Sequence, residues 1–399
     1  MGLPQLLIGG FDLVSFGLGF LNYYALYLAI SLTLNLEFGF TGIPNFGKVM
    51  FIAGGAAFSG SIAGRVAAYA YGIGVNRDFI VFNPSIISGV NARLATDPAF
   101  AVQLVIFSLL VAALVGALLG YLSSYPAIRL REDYLGMLLL GAAQFFQVIL
   151  RTYTPLIGGA QNIEVPDPYV YWSSLGPGYR DLVAALVVSA FAIVVFLYAE
   201  RVAKSPLGRM LKSVRDNEDA AKALGKDDVA VRRNILIIAS AIAGMAGAIF
   251  TFYIASVESD NWTRFAWTFW PFLIVIIGGA GNNFGVALGT FFFMLIFKGL
   301  QQIQPYVQPY IFFDVNWLQD ILFAALLIII LLLRPEGIIR EKPTPTLSRS
   351  TVAAMVGALA GPGGGGGTEP EEPSRLRRFG RRAKSLVRRG QKSGTVGPP

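Results

Sequence analysis

Residues 101–122 read AVQLVIFSLLVAALVGALLGYL, a run with no charged side chain at any position. As a helix rising ~1.5 Å per residue it would be long enough to cross a hydrocarbon core of ~30 Å. Working outward, comparable apolar runs lie at 17–36, 49–70, 134–150, 181–199, 234–254 and 317–333. Between the last two, 267–301 is apolar but interrupted by Gly278-Gly279-Ala280-Gly281-Asn282-Asn283. Two short or broken helices joined by a glycine turn fit that stretch. The expected fold is all-α, a polytopic transmembrane helical bundle of about nine spans, with the permease domain occupying 1–342. Residues 3–16 are also apolar but hold Gly9, Gly10 and Asp12. They read as part of a long first helix or an interfacial piece, and lack the basic start of a signal peptide.

Composition agrees and excludes much. The 399 residues are 54% hydrophobic and 14% charged, with mean hydropathy +0.59, whereas a soluble domain is about 25% charged. There is no cysteine and no histidine. Disulfides, zinc or haem sites of the usual kind and Ser-His-Asp or Cys nucleophiles are thereby excluded, and no metal site is expected. The net charge of +8 is concentrated at the end: from 343 onward there are ten Lys and Arg against three acidic residues. The balanced remainder gives no electrostatic support for nucleic-acid binding.

The tail divides into a flexible Pro/Gly-rich linker, 343–373, and a basic segment, 374–399. In the latter, Leu376, Phe379, Ala383 and Leu386 recur at helical spacing among lysines and arginines. That pattern suits an anionic inner leaflet, with a disordered solubilising tail as the competing reading.

Lysine and arginine placement sets orientation. Loop 200–233 holds nine of them and is expected to be cytoplasmic, together with Lys48, Arg129, Arg131 and the C-terminus. Loops 71–100 and 152–180, holding Arg77 and Arg93 with Arg151 and Arg180 at the rims, are expected outside. Within the spans this reading finds only Arg65, Lys298 and Asp320, taken as interfacial anchors near span ends. Carriers driven by ions usually place carboxylates at mid-membrane, so an energy source outside the spans is expected. Small residues at four-residue spacing, Gly116/Gly120, Ala243/Gly247 and Gly281/Gly285/Gly289, read as close helix packing.

The long basic loop carries the most information. Pro206 can start a helix and Gly225 can end one. Leu207, Met210, Leu211 and Val214 form an apolar stripe, and Ala220, Ala221 and Leu224 continue an apolar face after Asp216, Glu218 and Asp219. A charged pair of short helices with apolar residues on one face suits contact with another protein, or lying on the inner leaflet.

Asp219-Ala220-Ala221-x-x-x-Gly225 resembles the EAA loop of ABC-importer permeases, with Asp in place of Glu. The wider string Gly208-Arg209-x-x-x-Ser213-Val214-Arg215-Asp216-Asn217-Glu218 resembles the branched-chain amino-acid permease family of the LivH/LivM type. So do Leu32-Thr33-Leu34-Asn35-Leu36-x-x-Gly39-x-x-Gly42, Pro126-Ala127-x-Arg129-Leu130-Arg131, Gly158-Gly159-Ala160-Gln161-Asn162-Ile163, Gly278-Gly279-Ala280-Gly281 and Arg334-Pro335-x-Gly337. Asn45 stands where that family usually has Ser, and Lys48 where it has His.

The resemblance implies a transmembrane permease, not an enzyme, in the cell membrane. It also implies a second homologous permease, two cytoplasmic ABC ATPase subunits and an extracytoplasmic substrate-binding protein. The chain has no G-x-x-x-x-G-K-[ST] phosphate-binding loop, so ATP would be hydrolysed by the partner subunits. Arg209, Arg215, Asp219, Ala220, Ala221, Leu224 and Gly225 are the expected ATPase-coupling residues. Candidates for the substrate path are Asn35, Gly39, Gly42, Gly278, Gly279 and Gly281, with Gly158, Gly159 and Asn162 as an outer gate. For Asn35 the competing reading is an interhelical hydrogen bond, and for the glycines it is packing. Alternatives in function are a permease for urea or short amides and, in another class, a stand-alone secondary carrier or channel.

Overall fold

The structure, a computed structural model, describes residues 7–8, 11–130, 132–308 and 315–341. The tail segments 343–373 and 374–399, and Arg131, lie outside the described residues. Asp12 opens the first helix, its carboxylate accepting the Val14 N–H at 3.1 Å, so 13–16 join α1, Leu13–Leu34. A π-helical turn, Asn35–Phe40, prolongs it. After a short link comes α2, Lys48–Ala70. Next are α3, Asn83–Leu94, and α4, Pro98–Arg129, whose Asp97 cap accepts the Phe100 N–H. They are followed by α5, Glu132–Thr152, α6, Thr154–Ile157, α7, Val170–Ser173, and α8, Tyr179–Lys204.

The long loop forms α9, Pro206–Asp216, and α10, Glu218–Ala223, before α11, Asp228–Ile254. A π-turn at Phe265–Phe269 leads into α12, Trp270–Gly278, and the glycine break separates this from α13, Asn283–Val307. The last helix is α14, Val315–Leu333. Strand structure among the described residues is confined to two-residue ladders, Leu7–Ile8 with Phe11–Asp12 and Ile163–Glu164 with Ser256–Val257.

Seven helical stretches among the described residues are long and apolar enough to span: Leu13–Phe40, Lys48–Ala70, Pro98–Pro126, Tyr134–Thr152, Tyr179–Lys204, Asp228–Ile254 and Asn283–Tyr306. Two shorter apolar helices, Phe265–Gly278 and Trp317–Leu333, stand where the remaining expected spans fall. The chain is a polytopic helical membrane protein.

Glycine sets the packing of α2, α4 and α11. A Cβ at Gly247 would lie 2.0 Å from the Ile52 carbonyl oxygen, and one at Gly116 2.4 Å from that of Ser240. Only hydrogen fits there, so these backbones approach as closely as small-residue stripes permit. The same device joins α12 to α13, where a Cβ at Gly285 would lie 2.3 Å from the Gly278 oxygen.

One feature departs from the sequence reading of charge. Glu37 and Lys48 are wholly buried and pair at 2.9 Å, so Lys48 is a core residue rather than a loop cation. The π-turn carries the first helix past 36 and brings Glu37 inside with it. Arg65, near the end of α2, also has partners within the protein: it donates to the Pro155 carbonyl at 2.6 Å and lies 4.8 Å from the centre of the Phe79 ring.

Candidate functional site

The loop between α8 and α11 is built by a succession of caps. Ser205 Oγ accepts the Gly208 N–H at 3.3 Å and Pro206 supplies the first helical residue, where its missing N–H costs nothing. The chain breaks at Asn217, whose side-chain oxygen accepts the Ala220 N–H at 2.8 Å and so starts α10. Gly225, with φ +74°, ends it. The Lys226 N–H reaches the Ala221 carbonyl at 3.1 Å and the Gly225 N–H reaches that of Lys222 at 2.9 Å, the paired bonds of a Schellman motif. Glu218 crosslinks the turn to Lys222 at 2.5 Å and to Arg232 at 2.9 Å. The Lys222 hydrogen bond holds the Glu218 carboxyl below its usual range.

The two faces of this helix pair differ from the sequence expectation in two respects, at Ala221 and at Arg215. Gly208, Leu211, Val214 and Ala221 turn inward, Ala221 being only 2% exposed. Arg209, Asp219, Ala220, Leu224 and Gly225 turn outward, with Leu224 78% exposed. Ala221 is therefore part of what holds the loop together, while Leu224 is an exposed apolar side chain on the outer face.

From the inward side of α9, Lys212 and Arg215 reach one carboxylate, Glu341, at 2.8 and 2.9 Å. Arg215 also donates to the Gly39 carbonyl in the π-turn that ends α1. A Cβ at Gly42 would lie 3.1 Å from the Arg215 side chain, and one at Gly281 would lie 2.9 Å from the Glu341 carboxylate. Glu341 ends a strap, 334–341, laid along the α12–α13 break: the Ile338 and Ile339 N–H groups donate to the carbonyls of Ile277 and Gly278 at 2.8 and 3.1 Å. Asn282 caps α13 and donates to the Arg340 carbonyl at 3.1 Å.

Deeper in the bundle, Asn35 Oδ1 accepts the Gly281 N–H and its Nδ2 donates to Asn283 Oδ1, both at 2.9 Å. Asn283 in turn donates to Glu200 at 3.1 Å. Asn35, Gly39, Gly42, Gly278, Gly279 and Gly281 thus form one connected group, and Arg215 of the loop is joined to it. Asn35 makes the interhelical bonds that the competing reading foresaw, and Gly39, Gly278 and Gly279 sit at backbone approaches too close for a side chain, while at Gly281 the neighbour is the Glu341 carboxylate.

Gly158, Gly159 and Asn162 are together but elsewhere. All three have left-handed φ, +75°, +62° and +63°, and Asn162 accepts the Ser259 N–H at 2.9 Å. This tie fastens the loop before α7 to the chain leaving α11, as the short ladder beside it also does. α9 and α10 precede the opposite end of α11, and that 27-residue helix is ~40 Å long. Asn83, which donates to and accepts from the Glu164 backbone, and Asp167, paired with Arg180 at 2.5 Å, complete the fastening at this end. Glu37, Lys48 and Glu341 escaped the sequence reading of sites.

A bundle of apolar helices, with a glycine turn between two of them and a folded helix pair between two spans, defines the class as a polytopic helical membrane protein. The profile of the family described as the branched-chain amino acid transport system / permease component matches residues 17–331. The chain belongs to that family. It is 37% identical over 343 residues to the probable branched-chain amino acid transport permease protein LivM of Methanocaldococcus jannaschii, covering 85% of this chain and 97% of that protein. To the high-affinity branched-chain amino acid transport system permease proteins LivM of Salmonella typhimurium and Escherichia coli it is 25% identical, covering 57% of this chain and 56% of each of them. No solved structure matches. The family is one of transport permeases rather than an enzyme class.

Proposed function

We propose that this chain is the membrane-spanning permease subunit of an ATP-driven importer for branched-chain amino acids. In this reading the helix pair α9–α10 docks on separate ATPase subunits, which bind and hydrolyse the ATP. A second permease completes the pore, and an extracytoplasmic binding protein delivers substrate at the Gly158–Asn162 end. The nine apolar helices cross the cell membrane, with the helix pair and the C-terminus on the cytoplasmic side.

The observation that carries the reading is the outward set Asp219, Ala220, Leu224 and Gly225 on a helix pair whose other face is packed against its own bundle. An exposed leucine framed by charges, on a support that is itself held fast, suits a partner that fills the role of an engine.

Leu224→Asp tests this. The variant is expected to insert and fold normally, because Leu224 is 78% exposed. It should lose the co-purifying ATPase, and uptake should fall at least about tenfold, as for loss of a central apolar anchor worth more than ~1 kcal/mol. Normal ATPase retention and uptake would remove the docking assignment. Ala221→Trp is the contrast: it should loosen the loop itself. Competition by leucine, isoleucine and valine against urea and short amides, in vesicles supplied with the binding protein, separates the substrate classes.

A further inference from the structure

Glu341 has no place in the reading above, yet it is where the loop and the broken helix meet. Lys212 and Arg215 lie three residues apart on α9, so they project from one helical face, and both close on the same carboxylate. The other ion pairs of the loop close locally among the described residues: Arg215 also with its neighbour Asp216, Glu218 with Lys222 and Arg232, and Lys222 with Asp228. The Glu341 carboxylate is carried by the strap that satisfies the Ile277 and Gly278 carbonyls and lies against Gly281. On the other side of the same small space, Arg215 holds the Gly39 carbonyl.

We propose that Glu341 is a positioning residue that transmits displacement of α9 to the α12–α13 break and to the π-turn at the end of α1. The proposal rests on the loop being the ATPase-docking element. Any displacement of α9 moves two cations relative to one carboxylate, and that carboxylate is fixed to the backbone that completes the break. The three side chains are 16%, 24% and 26% exposed, so the pairs also bear on folding, and ATPase retention is measured in every variant to separate a role in coupling from a role in holding the loop.

The test uses the complete transporter in proteoliposomes, with permease pair, ATPases and loaded binding protein. Three variants are compared: Glu341→Gln, which keeps shape and removes charge, Glu341→Asp, and the exchange Lys212→Glu/Glu341→Lys. For each, ATPase retention, ATP turnover and substrate taken up per ATP are measured. Glu341→Gln should keep the ATPase bound and turning over, while uptake per ATP falls about tenfold, within the range of coupling between distant sites. Glu341→Asp and the charge exchange should each recover a part of that loss.

Unchanged uptake per ATP in Glu341→Gln would overturn the proposal. So would loss of ATPase retention in that variant, which would make Glu341 a structural support of the loop. Leu224→Asp, run alongside, reports on docking alone: if it keeps the ATPase, the docking reading fails whatever Glu341 does.

Discussion

Replacing Lys48 with methionine should cost far more than replacing Lys48 and Glu37 together. Both side chains are fully buried, and their ionised ends are 2.9 Å apart. At that separation and an effective dielectric near 20, the attraction is about 6 kcal/mol. Stripping water from the two ions costs several kcal/mol each, so the intact pair comes close to breaking even. Lys48→Met removes the attraction and leaves the Glu37 carboxylate dehydrated, an expected loss of about 3–5 kcal/mol. The double variant Glu37→Leu/Lys48→Met removes both penalties and should be neutral or more stable by about 1–4 kcal/mol. Unfolding of the purified protein in detergent, followed by helical signal against denaturant, gives the four corners of the cycle. A Lys48→Met variant as stable as the double variant would refute the reasoning. It would mean that water or a repacked side chain reaches Glu37, and that the pair is not the closed unit its burial describes.

Two further outcomes follow from glycine geometry. Gly225 has φ +74° with nothing within 4 Å of an added Cβ, so Gly225→Val should loosen the α10 terminus by about 1–2 kcal/mol through backbone strain alone, and Gly225→Asn much less; amide exchange at residues 218–226 distinguishes them. Gly247→Val would drive a Cβ to 2.0 Å from the Ile52 oxygen and should destabilise by about 1–3 kcal/mol or more as α2 and α11 are forced apart. Gly141→Ala, where nothing lies within 4 Å, is the near-neutral control in the same thermal unfolding series.

The spans were legible because a membrane removes charge from long stretches, and runs such as 101–122 have no soluble interpretation. The loop was legible because its outer limits are written in local residue types, Pro206 at a start and Gly225 at an end; the break at Asn217 between its two helices emerged only in the structure. The pair Glu37–Lys48 was not, since opposite charges flanking a short link look the same whether they face water or each other. Which alanine of the loop turns inward depends on the turn at Asn217, and spacing alone does not reveal it. Glu341 was hidden for a different reason: Arg215 lies 126 positions away, and one of several charged residues after the last span has no periodicity to single it out.

The break between α12 and α13 shows how such distant residues become necessary. Backbone groups left without partners where packed elements shut out water cost free energy, so the turn between the antiparallel helices α12 and α13 persists only if its freed groups are met. Here the partners come from three separate segments. The strap supplies N–H groups to the Ile277 and Gly278 carbonyls. Asn35 of the first span accepts the Gly281 N–H, and Asn282 caps its own helix. Each glycine in the interruption is there because a neighbour occupies the space a side chain would need: Ile339 and Glu336 at Gly279, Glu341 at Gly281, and the Gly285 backbone at Gly278. The joint is thus closed by the strap, and the strap is the part tied to α9 through Glu341. A displacement of the loop that pulled Glu341 away would leave two carbonyls to find other partners, which is why the proposed coupling runs through the strap.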